Sequence, residues 1–135
     1  MTVLVRHAFA GDSSDWVGDD TLRPLDERGR RQAAGLVELL ADHEVDRIVS
    51  SPYLRCVQTI EPLARARGLP IEHEEALGAH RLHDVPAVLE RFRGSEAVIC
   101  THGDLPWLGD RRFEKGSAWV LDSGGEPDRY LPPTA

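Results

Sequence analysis

Apolar positions in this chain follow two spacings. Short runs rich in β-branched and apolar residues, TVLV at 2–5, DRIVSS at 46–51 and AVICT at 97–101, predict strands. Trp119, Val120 and Leu121 predict a further strand, and PIEH at 70–73 an edge-like one. Between them the spacing changes to that of helices. Ala33, Leu36, Val37 and Leu40 repeat at i, i+3, i+4 and i+7 behind Asp26, a good N-cap. Tyr53, Cys56, Val57, Ile60 and Ala64 predict a second helix, with Ser51 as its cap and Pro52 in its first turn. Pro62 is expected to kink or end it near Glu61, and Gly68 closes it. Val85, Val88, Leu89 and Phe92 mark a short helix capped by Asp84. The turn formers of 8–25 predict a loop, and the Gly- and Pro-rich tail from Ser123 is expected along the surface.

Strands alternating with helices imply an α/β three-layer sandwich, a mainly parallel sheet with helices on both faces. At 135 residues the expectation is one domain spanning 1–135. An apolar share of 41% provides for one core and excludes disorder as the main state. The net charge of −7 argues against general nucleic-acid binding. No apolar run approaches a membrane span, and Arg6 interrupts the N-terminal run too early for a signal peptide. Two cysteines, Cys56 and Cys100, make no disulfide framework; they read as reduced thiols of a cytoplasmic protein.

The chemistry collects at strand ends. TVLV runs into Arg6-His7, RIVS into Ser51-Pro52 with Arg55 just beyond, and AVIC into Thr101-His102-Gly103. Open parallel sheets bind ligands outside the carboxyl ends of their strands. If the three strands are neighbours, two histidines and two arginines converge. Arginine presents a planar fork of donors matched to phosphate oxygens, and a helix N-terminus nearby favours the same anion. Neither cysteine has an arginine six residues on, and neither a phosphate-binding G-x-x-x-x-G-K-[ST] loop nor a G-x-S-x-G elbow is present. Clustered arginines would repel a metal cation. A histidine is left as covalent nucleophile.

LVRHAFAG (4–11), SSPYLRCVQT (50–59) and CTHGD (100–104) resemble the histidine phosphatase superfamily, the phosphoglycerate mutase-like proteins. RPLDERGRRQA (23–33) and KGSAWVL (115–121) resemble its small bacterial phosphohistidine phosphatase-like branch. The resemblance implies that His7 is the nucleophile, and that Arg6, Arg55 and His102 surround the phosphoryl group. It also implies a carboxylic acid that protonates the leaving group. Glu74, four residues before Gly78, fits that place; Glu75 is the alternative, and parts of the small branch lack the acid. Ala8 stands where many members have glycine.

The resulting expectation is a cofactor-free, metal-free phosphohydrolase with a phosphohistidine intermediate, acting on phosphoesters or protein phosphohistidine. A phosphatase of nucleotides or small metabolites, and a non-catalytic phospho-ligand module, stand as alternatives. Fewer than thirty residues separate the second motif helix from AVICT, which implies a minimal form without a large capping insertion and with an open site. His80 and His83 read as exposed loop histidines, and the Asp12, Asp15, Asp19, Asp20 group as a solvated loop.

Overall fold

The computed structural model describes residues 1–135. Six strands form one sheet: β1 (Val3–Arg6), β2 (Arg47–Ser50), β3 (Ile71–His73), β4 (Ala97–Thr101), β5 (Ala118–Leu121) and β6 (Pro127–Leu131). Their spatial order is β3-β2-β4-β1-β5-β6. The first four in that row run parallel, while β5 and β6 join antiparallel at one side. Three helices complete the fold, α1 (Glu27–Leu39), α2 (Leu54–Arg67) and α3 (Val85–Phe92).

Alternation along the strands builds two cores. Val3 and Val5 of β1 and Val98 and Cys100 of β4 face α1 and α2, packing with Leu36, Leu40, Ile60 and Leu63. Leu4 and Ile99 point the other way, onto Val85, Val88, Leu89 and Phe92 of α3. This period-two division of a wholly apolar run is what a sheet covered on both faces requires. The three-layer sandwich expected from the sequence is the observed architecture.

Local details explain where the helices begin. The Asp26 carboxylate accepts from Gly29 N at 2.8 Å and caps α1. Gly29 is there because a Cβ would lie 1.9 Å from the Phe9 carbonyl oxygen; α1 crosses that loop at backbone contact. Gly68, in the left-handed conformation at φ 65°, ends α2.

Four local expectations are corrected or narrowed. Of the two outcomes expected at Pro62, a kink or an end, the end is excluded, because the helix runs on to Arg67. Proline costs a helix interior about 3 kcal/mol, but full burial of a Leu or Ile recovers roughly 1.5–3 kcal/mol apiece. Ile60 and Leu63 are both fully buried, which outweighs the cost. α2 starts at Leu54 with Tyr53 as N-cap, so Ser51 and Pro52 lie ahead of the helix; Ser51 Oγ accepts from Tyr53 N at 3.3 Å and lies 3.0 Å from His102 Nε2. Asp84 precedes α3 but makes no capping bond, since its carboxylate is paired with Arg81 at 2.8 Å. The tail does not simply lie on the surface. Residues 127–131 form β6, an edge strand that opens with Pro127, a place where a missing N–H is tolerated.

Candidate active site

The order β2-β4-β1 sets the three polar strand ends side by side. Main-chain bonds tie them together: His7 N donates to Thr101 O and Ser51 N to Cys100 O, each at 3.0 Å. His7 and His102 are thereby brought edge to face, ring centroids 5.3 Å apart. Tyr53 packs its ring against His102 at 4.7 Å and lies under the Arg55 guanidinium at 4.9 Å. Arg55, in the first turn of α2, is 5% exposed, His7 7% and His102 4%. His7, His102 and Arg55 are therefore gathered around Tyr53, and Arg6 lines the same cleft as His7.

His7 is held in a defined state. Its Nδ1 lies 2.8 Å from the Ala8 carbonyl oxygen. A carbonyl can only accept, so Nδ1 carries the proton and Nε2 keeps its lone pair. Burial pushes the His7 pKa down to about 3, and the neighbouring Arg55 and Arg6 push the same way. His102 is likewise lowered to about 3, by burial first and then by His7 and Arg55. Both imidazoles are neutral at physiological pH.

The guanidiniums are fixed but not used up. Arg6 Nη1 donates to Phe113 O at 2.6 Å, and Arg55 Nη1 to Asp20 O at 2.9 Å. The Nε–H of each is buried without a protein acceptor. Arg6 lies against Gly103, where a Cβ would stand 2.3 Å from the Arg6 Cζ, so the His-Gly pair of the third motif is a packing requirement. Behind His7, Thr59 Oγ1 accepts from Ala8 N at 2.9 Å and donates to Arg55 O at 2.7 Å. This single hydroxyl couples the His7 loop to the helix bearing Arg55.

In front of His7 opens a polar cleft of about 670 Å³, lined among others by Arg6, His7, Arg23, Lys115, Asp104 and Asp12. Arg23 and Lys115 add positive charge that the reading of the sequence did not assign, although both fall inside the motif stretches 23–33 and 115–121. Gln32 was also missed. Its buried amide accepts from Phe9 N and donates to Lys115 O, both at 3.0 Å, and so ties two walls of the cleft together. A polar residue on the buried face of α1 was the signal available.

Glu74 follows β3, and its N–H donates to Ser50 O at 2.8 Å. Of the five expected site residues, Arg6 and His7 line the cleft, whereas Glu74, Arg55 and His102 do not. The Glu74 carboxylate is paired with Arg91 at 2.5 Å and accepts from Ala76 N at 3.2 Å. The Arg91 hydrogen bond, then the backbone one, holds its pKa below the usual carboxylate value. Glu75 is exposed in the turn that follows. His80 and His83 are both exposed, and the His80 ring stacks on Tyr53.

The profile of the histidine phosphatase superfamily (branch 1) matches residues 2–85, more than half of the chain. The chain belongs to the histidine phosphatase superfamily. Among relatives, the 8-oxo-(d)GTP phosphatase of Mycolicibacterium smegmatis is 38% identical over 92% of this chain and 45% of its own length. The transcription factor tau 55 kDa subunit of Saccharomyces cerevisiae is 33% identical over 56% of this chain and 19% of its own. This histidine phosphatase domain thus spans less than half the length of either relative. The same fold occurs in the protein histidine phosphatase SixA complexed with tungstate, at TM-score 0.78 and 22% identity over 96% of this chain and 95% of that one. It also occurs in the α-ribazole phosphatase of Shigella flexneri, at TM-score 0.71 and 18% identity over 96% and 95%. No helix is long and apolar enough to cross a membrane.

Proposed function

We propose that the chain is a phosphohydrolase that works through a phosphohistidine on His7, without metal or cofactor. The observation that carries this reading is the state of His7: neutral, with its Nδ1 proton held by Ala8 O and its Nε2 free. The Nε2 lone pair forms a bond to phosphorus as the bond from phosphorus to the leaving group breaks. The leaving group keeps that electron pair and takes a proton from solvent water. Water then attacks phosphorus, the P–N bond breaks, its electrons return to Nε2, and phosphate departs. Positive charge on the phosphorylated ring is relieved through Nδ1–H and Ala8 O.

Arg6, Arg55 and His102 bind the phosphoryl oxygens in this scheme. The two buried, unpartnered guanidinium N–H groups support it, since an unmade hydrogen bond of a buried charged donor costs about 1–3 kcal/mol or more. Phosphoryl oxygens would satisfy both. Donors fixed before the reaction also stabilise charge as it develops.

Glu74 is left out of the proton path, because Arg91 keeps it ionised. Without a dedicated acid, leaving groups that need little protonation, such as the imidazole of phosphohistidine, depart faster, and the alkoxide of a phosphoester takes its proton from solvent water at a slower rate. From α2 to β4 the chain contains only β3, short turns and α3, which fits a minimal domain with an open cleft able to admit a phosphoprotein or a phosphorylated small molecule. Buried, unpaired Cys56 and Cys100 fit a cytoplasmic setting.

A second reading is a nucleotide phosphatase, favoured by the 38% identity to the 8-oxo-(d)GTP phosphatase of M. smegmatis. The chemistry at His7 is common to both readings. The test is trapping of an acid-labile phosphoenzyme. Wild type should label on histidine, His7→Ala should not, and His102→Ala should label weakly. Label persisting on histidine in His7→Ala would transfer the nucleophile role to His102. No label in the wild type would leave a phospho-ligand binding module.

A further inference from the structure

Apart from Met1, the large apolar side chains the fold leaves exposed, Trp16, Val17 and Leu22, all lie on the loop between β1 and α1. The phosphoryl chemistry does not use them. Trp16 is 38% exposed, yet its ring is fixed, because Nε1 donates to Asp19 O at 2.9 Å. The polar atom of the indole is thus already engaged, and the remaining surface of the ring is aromatic.

Trp16 forms one wall of a second cavity, of about 300 Å³, with Pro24 and Leu25 as further apolar lining. This cavity and the His7 cleft share Ala10, Gly11, Asp12, Arg23 and Asp26, so they are adjoining compartments of one surface. Arg23 stands on the shared wall, anchored by Asp20 at 2.9 Å and by the Ala10 carbonyl at 2.5 Å. Arg23 thus separates the compartment that contains His7 from the one that contains Trp16.

The chemistry of the cavity selects the occupant. An aromatic wall that is already oriented binds flat π-systems at low entropic cost. The volume is at the small end of ligand sites, suited to a base or a single side chain rather than a peptide segment. Of its three carboxylates, Asp12 accepts from Ser14 and Asp26 from Gly11 and Gly29, which leaves Asp15 as the acceptor to which the edge of a bound ring would donate. Guanine does so through its ring N–H and amino group.

We propose that this second cavity is the leaving-group subsite of the His7 reaction and that it takes the base of a nucleoside phosphate, stacked on Trp16. The proposal rests on the phosphohydrolase reading above and narrows its substrate class.

Guanosine 5′-monophosphate and ribose 5-phosphate differ by the base alone, and their kcat/KM values in wild type, Trp16→Ala and Trp16→Phe provide the test. Stacking on an aromatic side chain predicts a loss of roughly ten-fold in Trp16→Ala for the nucleotide, carried by KM. The loss for ribose 5-phosphate should be several-fold smaller, and Trp16→Phe should recover most of the nucleotide activity. Equal losses on both substrates, or none on either, would overturn the subsite. Equilibrium dialysis of guanosine 5′-monophosphate against His7→Ala, with and without Trp16→Ala, separates the two readings. Trp16-dependent binding by a chain whose wild type hydrolyses no phosphoester would sink the phosphohydrolase reading and keep the subsite. Hydrolysis of ribose 5-phosphate with no preference for the nucleotide would do the reverse, leaving a site for base-free phosphates or phosphoproteins.

Discussion

The Asp20 carboxylate lies 3.2 Å from Arg55 Nη2, while the Asp20 carbonyl accepts from Arg55 Nη1 at 2.9 Å. A phosphoryl group bound by Arg55 must therefore compete with an anion supplied by the β1–α1 loop. Hydrogen bonding from Arg23, followed by the charge of Arg55, keeps the Asp20 pKa low, so the competitor stays ionised. Asp20 is half exposed, which limits such a pair to about 0.2–1 kcal/mol. Asp20→Ala should tighten inhibition by inorganic phosphate by about two- to five-fold. Weaker inhibition would mean that Asp20 orders Arg55 for the phosphate instead of opposing it.

Gly103 is where the third motif touches the first. A methyl group there would stand 2.3 Å from Arg6 Cζ and 2.5 Å from its Nε. Arg6 is tethered at its far end to Phe113 O, so it cannot swing aside without losing that bond. Gly103→Ala should lower kcat/KM by roughly ten-fold or more, the scale of losing one oriented donor to the reacting charge. Thermal denaturation should show a folded protein. Unchanged turnover would remove Arg6 from the phosphoryl site.

The ion pair of Glu74 with Arg91 leads to a leaving-group test. A general acid is worth about 10²–10⁴-fold when the leaving group is poor. Without such a role, Glu74→Gln should change alkyl phosphate and nitrophenyl phosphate hydrolysis equally and by less than about three-fold, the range of a largely exposed ion pair. A loss confined to the alkyl substrate would restore Glu74 as the acid.

The two buried histidines make a prediction in pH. His7 and His102 are lowered to about 3 from an ordinary value of 6.5. In the folded protein their ring proton NMR signals should stay flat from about pH 7.5 to 5, where an ordinary histidine titrates. The unfolded chain takes up protons on both as pH falls through its ordinary value, while the folded chain does not until about 3. Stability therefore declines as pH drops through that window and is greatest above it. His7→Ala should reduce the slope of the urea midpoint between about pH 6.5 and 5, above the range where carboxylates titrate. A midpoint slope unchanged by His7→Ala would show that His7 is protonated in the folded chain.

Much of this protein is determined by short-range chemistry and so can be read from the chain alone. The runs TVLV and AVIC become β1 and β4 because β-branched, apolar residues without turn formers have no better place than a covered sheet. Asp26 caps α1 and Gly68 ends α2 through bonds that span a few residues. The positions of His7 and His102 just past strand ends follow from the same local reading. Tertiary structure decided what depends on partners distant in sequence. The order β2-β4-β1 brings together residues as far apart as Arg6 and Thr101, which share a register position. Long-range packing carried α2 through Pro62 and paired 127–131 with β5. Surface charges are the clearest case. Glu74 has several arginines within reach in sequence, and the placement of α3 against the turn 75–77 that follows β3 selects Arg91. The same holds for Asp20 and Arg55, 35 residues apart. Local propensity specifies elements and motif positions; the weak, non-directional and interchangeable contacts that give each motif residue its state are settled when those elements pack.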